Sequence, residues 1–144
     1  MSASTKLSTA VKAICYLAES YPEPKSSSQI SVRIGTNASK LRQLLSMLAK
    51  ENIVDSTKGI TGGFILKKHP HDIHLQEVYC AVEDRKAFHL DVNKTDGTIA
   101  DETTLFNNYF LDLFADVQVD IEDKMRKIFV DSIMEKIGIK SNFK

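Results

Sequence analysis

The sequence predicts an α+β fold that is mostly α-helical, built from a helix-turn-helix, a β-hairpin and one long helix. Leucines recur at helical spacing over residues 41–48, directly after a turn of small polar residues. Two β-prone stretches, 53–57 and 64–67, flank a glycine-rich tip. From about residue 104 to 128, apolar residues return every three or four positions, which predicts a helix of about 25 residues.

The composition is that of a folded chain with room for one domain, or for one small domain plus an extension used for association. Hydrophobic residues make up 42% of the 144 residues, so a core can form. No apolar run approaches the roughly 18 residues of a membrane span, and the N-terminal residues contain no secretory hydrophobic segment. Because Cys15 and Cys80 are too few for a disulfide framework, we expect a cytoplasmic protein.

Three helices are predicted before the hairpin. The first covers residues 6–20 and is stopped by a Tyr-Pro-Glu-Pro segment. The second is short, with Ser26 and Ser27 as candidate N-caps and Gly35 where a left-handed C-terminal turn would end it. Asn37 caps the third, which buries its leucines. Two helices joined by about three residues are the shape of a helix-turn-helix.

The β-hairpin comes directly after the second helix of this motif. Residues 53–57 form the outgoing strand, 58–63 the tip and 64–67 the returning strand. A helix, a helix-turn-helix and a hairpin in this order make a winged helix. The tip lacks the Gly-Lys-Ser/Thr ending of a phosphate-binding loop and leads into a strand, which excludes that kind of nucleotide site.

The second half of the chain continues with a short fourth helix that begins near Leu75. A polar, aperiodic loop follows, then the long helix, and Ser132 is the predicted cap of a last short helix. The chain therefore divides into a winged helix-turn-helix domain at 1–88, a loop at 89–104, and a long helix with a short C-terminal helix at 105–144.

The long helix is the predicted dimerisation element. At 1.5 Å per residue it spans about 37 Å, more than a winged-helix core of this size can cover. An apolar stripe left in water is typical of association sites, so we expect two copies to pair through it as a homodimer. A helix folded back on its own domain is the alternative. The predicted dimerisation residues are Phe106, Phe110, Leu113, Val117, Ile121 and Ile128.

Charge is divided unevenly along the chain, although the formal net charge is zero. Residues 1–75 carry ten basic and five acidic residues, a net charge of +5, and residues 76–144 carry nine basic and fourteen acidic ones, a net charge of −5. A basic first half indicates contact with a polyanion. Chance segregation of solvated faces is the alternative.

The third helix and the hairpin tip supply the predicted DNA contacts. Arginine can bind guanine bidentately and glutamine can bind adenine, while lysine and serine serve bases or phosphates. Glycines in the tip permit a positive φ and a close backbone approach. A solvated helix face and a hairpin without a ligand are the alternatives. The predicted DNA-binding residues are Asn37, Ser39, Lys40, Arg42 and Gln43 in the helix and Lys58, Gly59, Thr61, Gly62 and Gly63 in the tip.

Four segments between residues 7 and 83 carry a family pattern. They are the first helix from Leu7 to Ala18, the turn Gly35-Thr36-Asn37, the wing Lys58-Gly59-Ile60-Thr61-Gly62-Gly63-Phe64-Ile65-Leu66 and the helix end Ala81-Val82-Glu83. Together they resemble the Rrf-type family of bacterial winged-helix transcriptional regulators, over about residues 7–88 and more loosely over 105–137. Membership would imply a homodimeric DNA-binding transcription factor, paired through the long helix and usually a repressor.

The sequence departs from that family in the loop before the long helix. Iron–sulfur members carry three cysteines there, and residues 89–104 contain none. Because a cluster needs thiolate ligands, we expect no iron–sulfur cofactor. A second departure is His74, which stands where the family pattern has a small cap residue before the fourth helix.

The sequence does not identify the signal that such a regulator would sense. Cys15 and Cys80 are the candidate redox residues, although a buried free cysteine is usually a small hydrophobe. The four histidines have no cysteine near them in the sequence, so we predict no metal site. A pocket near Phe88, Phe106 and Tyr109, or a protein co-regulator, are the other sources considered.

Two other classes of function compete with DNA binding. The sequence shows no nucleophile–base spacing, metal set or phosphate loop, so we do not expect an enzyme. The stronger rival is a winged-helix module that binds another protein without contacting DNA. The basic helix face discriminates between them, because charge reversal at Lys40 and Arg42 should abolish DNA binding and leave the dimer intact.

Overall fold

The computed structural model describes residues 1–60, 62–83 and 101–144, and it confirms a mostly helical α+β fold. The described part of the chain forms six α-helices, one antiparallel pair of strands and a 3₁₀ turn at Pro70–Asp72. The helices and strands are α1 (Ala3–Ser20), α2 (Ser27–Ile34), α3 (Ala38–Lys50), β1 (Val54–Thr57), β2 (Gly63–Leu66), α4 (Leu75–Val82), α5 (Glu102–Arg126) and α6 (Val130–Ile137).

Helix α1 runs through the centre of the core. It begins earlier than predicted because the Ser2 hydroxyl accepts a hydrogen bond from the backbone N–H of Thr5 and caps the first turn. Its buried side includes Ala13, Ile14 and Leu17, which pack in one cluster with residues of the later helices and the sheet. A helix with several buried alanines lets its neighbours approach closely.

The helix-turn-helix is formed by α2 and α3, as predicted. Ser26 caps α2 in a reciprocal capping box with Gln29. Gly35 ends α2 at φ 71°, a left-handed conformation that costs a residue with a Cβ more than it costs glycine. Only Thr36 separates it from Asn37, the cap of α3.

The hairpin pairs β1 with β2, with Val54 opposite Leu66 and Thr57 opposite Gly63. Strand β1 packs against α3 and β2 packs against α1. The hairpin is therefore fixed to α1 and α3, as in a winged helix.

The start of α6 differs from the prediction. The chain segments before α4 and α6 pair with each other, since Leu75 N–H donates to Ile128 O at 2.9 Å and Val130 N–H donates to Ile73 O at 2.8 Å. The helix begins where this bridge ends, at Val130. Ser132 consequently lies inside the first turn and is not the cap, and its hydroxyl donates back to the carbonyl of Phe129 at 2.7 Å.

Helix α5 begins at Glu102, where Asp101 caps it, so residues 102–104 are helical and the predicted loop is shorter at this end. The rest of that loop lies outside the described residues. Of the 25 residues of α5, only Gln118 is fully buried. The helix packs against α4, and its first turns project from the domain.

The C-terminal residues return to the winged-helix core. Val130 and Met134 of α6 are buried with the residues of α1 and α3. Beyond α6, Asn142 donates from its backbone N–H to Ala18 O and from its side-chain amide to Glu19 O. These carbonyls end α1 and have no partner within that helix. No described helix combines the length and the apolarity needed to cross a membrane.

Candidate nucleic-acid interface

Helix α3 has one buried face and one polar face. Leu41, Leu44, Leu45 and Leu48 are buried, as their spacing predicted. The opposite face is exposed over all of its length. It carries the predicted Ser39, Lys40, Arg42 and Gln43, together with Ser46, Met47 and Lys50. The structure therefore brings the predicted helix residues together on one accessible surface.

Asn37 holds the first turn of this surface. Its side-chain oxygen accepts hydrogen bonds from the backbone N–H groups of Ser39 at 2.9 Å and Lys40 at 3.1 Å. Two of the N–H groups left free at a helix start are thus already satisfied. Asn37 therefore caps α3, and its side-chain oxygen is occupied by the backbone of the helix.

Most cations outside this surface are engaged with other side chains. Residues 1–83 contain ten lysines and arginines. Five make an ion pair or hydrogen bond with a side chain: Lys6 with Glu83, Lys25 with Glu23, Arg33 with Glu19, Lys67 with Asn52 and Lys68 with Glu77. The other five contact no acidic or amide side chain among the described residues, and four of them lie on α3 or the hairpin: Lys40, Arg42, Lys50 and Lys58.

Lys50 belongs to these four exposed cations but was not among the predicted DNA-binding residues. It occupies the last turn of α3, seven residues after Gln43, so it continues the same exposed face. The spacing of seven residues, about two helical turns, predicts that Lys50 lies on the same face as Gln43.

The wing glycines divide into two kinds. Gly59 has φ 111°, and a Cβ there would meet open space. Gly62 and Gly63 do not have a positive φ, contrary to the predicted reason for them. A Cβ on Gly62 would lie 2.5 Å from Thr57 O, and one on Gly63 would lie 2.5 Å from Lys25 O. The close approach that these two glycines permit is therefore to the protein's own backbone.

The hairpin is held at its base from both sides. Lys25 and Phe64 exchange two backbone hydrogen bonds of 2.9 and 2.7 Å, which join β2 to the loop before α2. The Thr57 hydroxyl accepts from Gly63 N–H at 2.9 Å across the sheet. Lys58 follows this point and is exposed. Thr61, the remaining predicted wing residue, lies outside the described residues.

The two cysteines differ in accessibility. Cys15 is buried in α1, and burial raises the pKa of its thiol to about 11. Cys80 is exposed on α4 and accepts a hydrogen bond from the Gln76 side-chain amide at 3.2 Å. Since the thiolate is the reactive form, only Cys80 is placed for reaction with solvent oxidants.

A cavity of about 610 Å³ lies away from the α3 surface, between α1, the end of α2 and α6. Its walls are mainly apolar and include Leu7, Val11, Ile133 and Ile137. The predicted pocket near Phe88, Phe106 and Tyr109 is a different place, and Phe88 lies outside the described residues. We refer to this cavity as the α1–α6 groove.

The comparisons with known proteins converge on one family. The family model described as "Rrf2: Iron-dependent Transcriptional regulator" matches residues 3–136. YwgB of Bacillus subtilis is 29% identical over 116 residues, which cover 78% of this chain and 70% of that protein. The HTH-type transcriptional regulator IscR of Escherichia coli O1:K1 is 37% identical over 76 residues, which cover 53% of this chain and 46% of IscR.

Solved structures match over most of the chain. IscR of T. potens has a TM-score of 0.68 at 25% identity and is matched over 95% of this chain and 88% of its own. CymR of B. subtilis, described as a global cysteine regulator, has a TM-score of 0.67 at 18% identity, over 94% of this chain and 96% of its own. At 18% identity, the similarity to CymR shows a shared fold and nothing about function.

The iron dependence in the family description does not fit the donors of this chain. A cluster requires several thiolates, and the whole sequence contains only Cys15 and Cys80. Cys15 is buried with a raised thiol pKa. Within the described ranges, no three His, Cys, Asp or Glu side chains come together in a group that could hold a metal.

Proposed function

The chain belongs to the Rrf2 family of transcriptional regulators, and from this we propose that it is a cytoplasmic homodimeric repressor that binds a pseudo-palindromic operator. Each protomer would place α3 in a major groove and its wing beside it. The two recognition helices would address half-sites one or more helical turns apart, at about 34–36 Å per turn. The role is one of binding, not catalysis.

The observation that supports the proposal is where the paired and unpaired lysines and arginines lie among the described residues. Within the described ranges, the lysines and arginines of the winged helix that have no side-chain partner are concentrated on α3 and the hairpin, whereas those elsewhere are mostly paired. An unpaired cation on a surface can neutralise a phosphate and release its counterion without breaking an existing ion pair. This distribution is what a DNA-binding surface requires.

The exposed side chains of α3 have distinct proposed roles. Arg42 can bind guanine bidentately and Gln43 can bind adenine, so these two would carry sequence preference. Lys40 and Ser39 lie in the first turn, where contacts to either bases or phosphates are within reach. Lys58 on the wing would bind the backbone and so contribute affinity without sequence preference.

The proposal of a dimer is supported by the exposed apolar residues in the first half of α5. Phe106 is 56% and Tyr109 62% exposed, and Phe106, Phe110 and Phe114 form a chain of ring contacts along the helix. Leu113 is also exposed, whereas Val117 and Ile121 are half-buried. Such an aromatic patch is of the kind that marks association sites.

A second copy is the proposed occupant of the α1–α6 groove. Phe106 lies twenty residues before the end of α5, about 30 Å along the helix axis. Helix α6, which lines the groove, begins directly after α5 and is only about 12 Å long. The start of α5 therefore cannot reach its own groove without bending, and a two-fold pair would bury both patches reciprocally.

We propose to test DNA binding by selecting an operator from a randomised duplex library with the wild-type protein. Lys40→Glu combined with Arg42→Glu should then weaken binding to that operator about 100-fold or more, because four cations of the dimer become anions. Fluorescence anisotropy at two salt concentrations measures the loss. The salt dependence of the remaining binding should also be shallower.

The matched control is Lys136→Glu combined with Lys140→Glu, which makes the same change of charge on exposed residues of α6 and the tail. This control should bind within about threefold of wild type if the α3 surface carries the affinity. Equal losses in both variants would show that only total charge matters. Failure of the wild type to select any sequence, with the dimer intact, would favour the module that binds a protein without contacting DNA.

A further inference from the structure

Ile60 is the most exposed large apolar residue that the structure describes. Its relative exposure is 107%, so no described part of the chain covers it. Val32 on α2 follows at 84%, and the other exposed large apolar side chains lie at 62% or below. An aliphatic side chain in water buries no apolar surface in its own domain and remains accessible to a partner.

The tip that carries Ile60 is a closed turn. Gly62 N–H donates to Gly59 O at 3.0 Å, which closes the chain around Ile60. The Thr57–Gly63 hydrogen bonds fix the strand ends just behind it. The hairpin therefore presents Ile60 fully exposed in its tip, and a β-branched residue has few rotamers to lose on contact.

We propose that Ile60 enters the minor groove of the operator and makes the wing favour A·T over G·C pairs at that position. The inference rests on the proposed DNA-binding function and adds a specificity-determining residue to it. Lys58, two residues away, is an exposed cation with no side-chain partner among the described residues, so the tip lies in a surface suited to a polyanion. Aliphatic wedges are a recurrent means of minor-groove contact.

The length of the hairpin permits this placement. Six residues separate Val54, at the start of β1 beside α3, from Ile60, which spans up to about 20 Å of extended chain. The minor groove adjoining a major-groove site is half a helical turn away, about 17 Å. The wing can therefore reach the adjacent minor groove while α3 remains in the major groove.

The preference follows from the chemistry of the groove floor. An A·T pair presents only acceptors there, between sugar walls that are apolar. A G·C pair adds the guanine N2 amino group, a donor that needs a partner. An isoleucine side chain would cover this donor without offering an acceptor, and a buried unpaired donor is unfavourable.

The test uses three versions of the selected operator, with A·T, G·C or inosine·C pairs half a turn outside each α3 contact. Inosine·C keeps the major-groove face of G·C and lacks the N2 amino group. Wild type should bind the A·T and inosine versions alike and the G·C version roughly tenfold more weakly. Ile60→Ala should bind all three within about twofold of one another.

Val32→Ala is the matched control, since it shortens another exposed β-branched residue outside the wing, and it should keep the full G·C penalty. The proposal is overturned if Ile60→Ala keeps that penalty, if wild type shows none, or if wild type treats inosine as guanine. A fourth version of the operator replaces thymine with deoxyuridine at the same pairs. Sensitivity to deoxyuridine without sensitivity to inosine would place Ile60 on a thymine methyl in the major groove and also overturn the proposal. Loss of all sequence selection by wild type would instead reject the DNA-binding proposal itself.

Discussion

At the scale of single residues, His74 replaces a small cap residue by using a ring nitrogen. Its Nδ1 accepts a hydrogen bond from the backbone N–H of Glu77 at 3.2 Å, and Glu77 Oε1 accepts from His74 N–H at 2.9 Å. This is a complete capping box made with a histidine. The ring also packs edge-on against Phe129. The departure from the family pattern therefore keeps the start of α4 intact.

We expect His74→Ala to be less stable than His74→Ser by about 1 kcal/mol, because serine can still cap α4. Both variants lose the ring contact with Phe129, so the difference between them isolates the cap. Urea unfolding followed by circular dichroism measures both free energies. Equal stabilities would contradict the capping role.

The two cysteines should be distinguishable by their reactivity. At pH 8, Cys80 should react with a thiol reagent such as a disulfide dye in the folded protein, whereas Cys15 should react only after unfolding. The reason is that burial excludes the reagent from Cys15 and raises the pKa of its thiol to about 11, so that its thiolate form is scarce until the pH approaches that value.

Mass spectrometry of the labelled peptides, with Cys80→Ser as the control, identifies the reacting thiol. Rapid labelling of Cys15 in the folded Cys80→Ser protein would contradict the buried placement. A redox role for Cys80 is a separate prediction, and oxidation that leaves DNA affinity unchanged would reject it.

At the scale of elements, the wing depends on glycine for its attachment as well as for its tip. Gly63 lies where the backbone of β2 meets Lys25, and any Cβ there would press on that carbonyl. The two hydrogen bonds between Lys25 and Phe64 require this approach. The glycine pattern of the wing is thus explained in part by how the hairpin docks on the loop before α2.

Gly63→Ala should lower the free energy of unfolding by about 1–3 kcal/mol, as overpacking usually does. Hydrogen exchange should show faster exchange at the amides of Lys25 and Phe64, which exchange the two bonds. Gly59→Ala is the comparison, since its Cβ meets open space although its φ is strained. Unchanged protection at Lys25 and Phe64 would contradict the attachment.

At the scale of the molecule, the described residues form one packed body and one projecting helix. Helix α5 leaves the body near α4, and its first turns expose aromatic residues that no described neighbour covers. The α1–α6 groove on the body is apolar and open. Our proposal that two copies complete each other follows from this division.

Phe106→Glu combined with Phe110→Glu should give a folded monomer, because both side chains are exposed in the single chain and their loss removes only the proposed interface. Sedimentation velocity measures the mass, and circular dichroism checks the fold. Val119→Glu is the control, an exposed apolar residue of α5 outside the predicted stripe, and it should remain dimeric. A dimer that survives the double substitution would place the interface elsewhere.

Much of the fold and of the candidate site could be predicted because the sequence patterns that indicate them involve residues close together in the chain. The α3 face followed from leucine spacing, and the ends of α2 followed from Ser26 and Gly35. Hydrophobic periodicity, caps and turns depend on residues within a few positions of one another. The misplaced cap at Ser132 shows the limit, because the start of α6 is set by a bridge to the segment before α4, more than fifty residues away.

Local spacing in the sequence therefore predicts most of the helices, the wing and the exposed face of α3, since it decides which side of an element is apolar. The pairing of cations among the described residues depends on tertiary packing, because pairs such as Lys6–Glu83 join residues far apart in the chain. Packing also returns α6 and Asn142 to the core, while the first turns of α5 project from the described residues. Contacts of this kind depend on how separate elements pack, and no local pattern encodes them.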